Sequence, residues 1–104
     1  MIRGTTSTHT FTIPFALATV EKLLVTYTQG GDIVLNKTEK ECSLTEDLDL
    51  IRTVIRIDLS ARETLAFRDG YANVQITILS AGEVYKTDTD FFRVEDTQSE
   101  EVLK

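Results

Sequence analysis

The stretch Thr53–Ser80 constrains this chain most: it alternates, turns a capped corner and alternates again. Ile55, Ile57 and Leu59 occupy every second position, with Arg56 and Asp58 between them. Successive strand side chains point to opposite faces, so the pattern is that of a half-buried strand. Ser60 and Glu63 then stand at the spacing of a capping box, in which hydroxyl and carboxylate each satisfy an N–H at a helix start. The box predicts about one or two helical turns, ended by Asp69-Gly70. Val74, Ile76 and Ile78 next alternate with Asn73, Gln75 and Thr77, a second strand with one wet face. Two half-buried strands joined by a short helical corner suit a chain crossing between the sheets of a β-sandwich.

The flanking sequence reads the same way. Thr8–Ile13 alternates, with His9, Phe11 and Ile13 on one face and Thr8, Thr10 and Thr12 on the other, and Pro14 ends it. Residues 1–7 are small and polar and are expected to fray. Phe15–Val20 suits a helical turn or a plug at the sandwich end. Lys22–Gln29 is a strand with Leu23, Val25 and Tyr27 on one face. Gly30-Gly31-Asp32 supplies the positive φ of a tight hairpin, and Ile33–Lys37 returns with Ile33 and Leu35 inward. Glu39–Leu44 reads as a short strand with Cys42 and Leu44 inward, and Thr45–Leu50 as an acidic loop. Ala81-Gly82-Glu83 is a second tight turn, followed by strands at Val84–Thr87 and Phe91–Val94. The fold class is therefore all-β: an antiparallel immunoglobulin-like β-sandwich of seven or eight short strands, with one short helical corner near residues 60–67. A single domain is expected over residues 1–94, followed by an acidic, flexible tail over residues 95–104.

Charge and cysteine content limit the function classes. The formal net charge of −6 argues against nucleic acid and against an anionic membrane surface, since both select basic patches. The single cysteine, Cys42, excludes an intramolecular disulfide. No apolar run approaches the roughly 18 residues of a membrane span. Met1-Ile2-Arg3 leads into Gly4-Thr5-Thr6 without the apolar core of a signal peptide, so a cytoplasmic origin is expected.

No catalytic set, metal site or cofactor site is expected. His9, the only histidine, lacks convergent partners and reads as a partly buried structural residue. Cys42 on an apolar face reads as a small core residue, with no base in view to lower its thiol pKa. Glu46, Asp47 and Asp49, and then Asp88 and Asp90, occupy acidic loops that miss the EF-hand spacing. Gly30-Gly31 lacks the lysine and helix of a phosphate loop. Tyr27, Tyr71 and Tyr85 allow a glycan-stacking platform as an alternative to core or cross-strand packing.

Several segments taken in order carry a resemblance. They are Met1-Ile2-Arg3-Gly4-Thr5-Thr6 with Thr8-His9-Thr10-Phe11-Thr12-Ile13-Pro14-Phe15, and Leu24-Val25-Thr26-Tyr27-Thr28-Gln29 before its glycine turn. Leu59-Ser60 with Glu63-Thr64-Leu65-Ala66-Phe67, Val74-Gln75-Ile76 and the closing Glu100-Glu101-Val102-Leu103 complete the set. Together they resemble small virion-associated proteins of Firmicutes phages and prophages, whose immunoglobulin-like domain is similar to the N-terminal domain of baseplate upper proteins. The resemblance implies a non-enzymatic structural or assembly protein of a phage tail or baseplate, found in the host cytoplasm during assembly and then in the virion. It implies other tail or baseplate proteins as partners, with self-association as a second mode. A carbohydrate- or ligand-binding sandwich module is the alternative. The contact regions expected are Thr8, Thr10 and Thr12, which offer a sheet edge, and the acidic Glu95, Asp96, Glu100 and Glu101.

Overall fold

The computed structural model describes residues 1–96, which form eight strands and one short helix. The strands are β1 (Ser7–Ile13), β2 (Val20–Gln29), β3 (Asp32–Thr38), β4 (Ser43–Asp47), β5 (Arg52–Leu59), β6 (Gly70–Ser80), β7 (Glu83–Lys86) and β8 (Asp90–Val94). Helix α1 (Ala61–Thr64) lies between β5 and β6. One sheet has the order β1-β5-β4 and the other β3-β2-β6, with β7 and β8 end to end along the far side of β6. All of these strand pairs are antiparallel. Thr87 ties down the break between β7 and β8. Its N–H donates to the Ile76 carbonyl at 3.0 Å, and Gln75 Nε2 donates to its carbonyl at 3.0 Å.

An immunoglobulin sandwich places strands A-B-E-D in one sheet and C-F-G in the other, with C′ added beside C in variable domains. Here β1, β5 and β4 take the places of B, E and D; β3, β2, β6 and the β7–β8 pair take those of C′, C, F and G. Strand A, which would lie outside β1, has no counterpart among the described residues.

The alternating positions meet between the sheets. Ile55, Ile57 and Leu59 of β5 pack with Leu23, Val25 and Tyr27 of β2 and with Val74, Ile76 and Ile78 of β6, all buried. The corner forms as its spacing predicts. Ser60 Oγ accepts from the Glu63 N–H at 3.1 Å, and Glu63 Oε1 accepts from the Ser60 N–H at 2.9 Å. The other Glu63 oxygen pairs with Lys37 Nζ from β3, which fixes the corner to the opposite sheet.

Four expectations need correction. Residues 1–7 do not fray at their start: Met1–Arg3 runs parallel to the end of β8, with Ile2 bridged to Glu95. The Met1 ammonium donates to the Arg93 carbonyl at 2.9 Å, the Glu95 N–H to the Met1 carbonyl at 2.8 Å and the Arg3 N–H to the Glu95 carbonyl at 3.0 Å. Ile33 points outward, 64 % exposed, and Lys37 takes an inward place at 8 %. A register shift between Tyr27 and Thr28 sets Leu35 opposite Tyr27 and Ile33 opposite Thr28, reversing the face of the residues nearer the turn. Glu39–Glu41 is a 3-10 turn rather than a strand. A strand paired with β5 does form, but at Ser43–Asp47: it takes in the last two residues of the expected Glu39–Leu44 strand and the first three of the expected acidic loop.

Candidate interaction surface

The expected contact residues fall on two parts of the molecule. Thr8, Thr10 and Thr12 are exposed on the outer face of β1, as their alternation requires. The Thr8 hydroxyl donates to Asp58 Oδ1 at 2.7 Å. That hydrogen bond first, and the Arg56 guanidinium after it, hold the Asp58 carboxyl below its ordinary range. Glu95 and Asp96 lie away from this face: Glu95 joins Ile2 through its backbone, and Asp96 pairs with Arg3. Glu100 and Glu101 lie outside the described residues.

His9 is built into an aromatic cluster. Its Nδ1 lies 2.8 Å from the Tyr27 hydroxyl, and its ring packs against Phe11, Tyr27 and Phe92. Burial, assisted by the Met1 ammonium, lowers its pKa and holds the imidazole neutral. Burial also pushes the Tyr27 phenol far above its usual range, so this pair is a fixed hydrogen bond between neutral rings. Burial, and then the Glu41 carboxylate, raise the Cys42 thiol, which is opposite to what a nucleophile needs.

The first acidic segment serves local structure. Glu46 Oε1 accepts from the Leu17 N–H at 3.2 Å and so holds the 3-10 turn Leu17–Thr19. Among the described residues, no group of three or more His, Cys, Asp or Glu converges as a metal site would require. The tyrosines diverge. Tyr27 is fully buried, Tyr71 lies on an outer face beneath the Arg93 guanidinium, and Tyr85 packs on Phe15. They form no common stacking platform. No helix among the described residues is long and apolar enough to cross a membrane.

A feature not expected from the sequence is the β4–β5 turn. Asp47 and Arg52 pair across it, leaving the four residues Leu48–Ile51 as its tip. Leu48, Leu50 and Ile51 are 77 %, 62 % and 67 % exposed. The turn contains no glycine, and Ile51 takes the left-handed conformation at φ 48°. That region is costly for a β-branched residue. Asp47 braces the tip from beneath: Oδ1 accepts from the Asp49 N–H at 3.2 Å and Oδ2 from Arg52 Nε at 3.0 Å. The result is a braced apolar projection. Interleaved acids hid it, because Glu46, Asp47 and Asp49 make the segment read as a solvated loop. Its signal in the sequence was three aliphatic residues in a turn with no glycine to relax it.

No protein-family model matches the chain, and no curated protein matches it.

Proposed function

We propose that this chain is a non-enzymatic structural or assembly protein of a phage tail or baseplate, working through contacts with other proteins. The sequence resemblance supplies the particle. The observation that carries the contact role is the braced tip with Leu48, Leu50 and Ile51 turned to solvent. Clustered exposed aliphatic side chains favour a partner that removes them from water. Backbone strain that the fold maintains at Ile51 fits a position kept for contact rather than for stability.

The test is sedimentation of particles from an induced source culture, with the chain quantified by mass spectrometry. The expected outcome is a fixed stoichiometry to tail proteins. A Leu48→Ser, Leu50→Ser double variant should fold with an unchanged thermal midpoint yet lose roughly tenfold or more of its incorporation, as central contact residues do. A chain abundant in the lysate and absent from particles overturns the reading.

A further inference from the structure

The outer edge of β1 pairs with nothing among the described residues, and in the immunoglobulin order that edge belongs to strand A. An unpaired edge is a template for another strand, which proteins blunt with charge, bulges or cover. The other edges here are blunted. Strand β3 turns Lys37 inward and carries the register shift; β4 carries Glu46 and Asp47; β7 carries Glu83 and Lys86. Strand β8 carries Asp90 and Arg93, and Met1–Arg3 covers its end. Strand β1 runs from Ser7 to Ile13 with no acidic or basic residue other than the neutral His9.

The flank beside this edge supplies a second observation. An open pocket of about 210 Å³ lies there, lined by His9, Thr10, Phe11, Val74, Asp90 and Phe92. Phe11 and Phe92 are only half-buried, and the exposed Asp90 places a carboxylate on the rim.

The geometry points to a strand-accepting site: an extended segment of a partner protein pairs with the edge of β1 in the place of strand A and lays an apolar side chain into this pocket. The inference rests on the contact role proposed above and adds to the β4–β5 tip a second surface, at the opposite edge of the same sheet, with the chemistry of its partner. The donor strand alternates, with apolar residues toward Phe11 and Phe92 and a cation opposite Asp90. Residues 97–104 of this chain, Thr97-Gln98-Ser99-Glu100-Glu101-Val102-Leu103-Lys104, suit it poorly, because they lack the alternation of apolar residues such a donor needs. The β1 of a second copy also suits it poorly. Its Ile13 is buried in its own core and its Phe11 packs against that core, which would leave both pockets empty.

Hydrogen exchange of the β1 amides in the full chain tests this site. The probe is a peptide alternating threonine and valine with one terminal lysine, used free at millimolar concentration and also tethered to Met1 through a glycine–serine linker. Tethering supplies a millimolar effective concentration. The expected result is β1 exchange slowed roughly tenfold or more in the tethered form. A proline-interrupted peptide should leave it unchanged, and Asp90→Lys should move the preference from lysine to glutamate at the peptide end. Unchanged β1 exchange with both forms of the probe overturns the site. So does β1 protection that depends on residues 97–104, or that appears with a concentration-dependent dimer in sedimentation. If particles incorporate the chain and β1 remains indifferent to the probes, the strand site falls and the contact role stands.

Discussion

Ile51 is held at φ 48° on an exposed tip, so its strain can be removed without disturbing the core. The left-handed region penalises a side chain by about 1–2 kcal/mol, and glycine returns part of that gain as extra chain entropy. Ile51→Gly should therefore raise stability by roughly 0.5–1 kcal/mol, read as a higher denaturation midpoint at unchanged slope. If the tip meets a partner, the same variant should bind it less well. Core residues should behave in the opposite way. Ile57→Ala and Ile76→Ala should each lose about 2–5 kcal/mol, whereas Arg56→Ala, on the wet face of β5, should change stability by about 0.5 kcal/mol or less. A larger loss at Arg56 in chemical denaturation would contradict the assigned faces. Those faces were legible because alternation on β5 and β6 is strict. Ile51 was not legible, since left-handed backbone at a β-branched residue follows from how two strands close their turn and leaves no mark in composition.

At the level of elements, the corner depends on Glu63, which caps α1 and pairs with Lys37. Burial raises its carboxyl pKa, but the Lys37 ammonium and the Ser60 N–H outweigh that and hold it below the ordinary value. A folded pKa below the unfolded one adds stability that is complete above the unfolded value of about 4.3 and disappears as pH falls through the folded value. Glu63→Gln should thus destabilise the protein at neutral pH, and its deficit should narrow in the acid range, followed by thermal melts against pH. Ser60→Ala should cost about 0.5–2 kcal/mol by removing the cap. The capping box was readable because its chemistry is local and set by a three-residue spacing. The Lys37 pair was not, because it joins elements that sequence alone does not bring together. The bulge in the β2–β3 hairpin was equally silent: Ile33 alternates correctly with its neighbours, and only the shifted partner strand turns it to solvent.

Across the whole molecule, the sheets are stitched by distant pairings. Ser7 faces Leu59 across β1–β5, and Val20 faces Ser80 across β2–β6. Chains that must close such loops before their contacts form fold in milliseconds to seconds, so stopped-flow refolding should fall in that range and not in microseconds. The parallel seam between Met1–Arg3 and the end of β8 has a mechanical meaning as well. Force applied at Met1 and at Asp96 draws the two segments in opposite directions along their common axis. Its three backbone hydrogen bonds then bear load together instead of opening one by one. A domain pulled between these points would hold as a sheared joint rather than peel as a zipper.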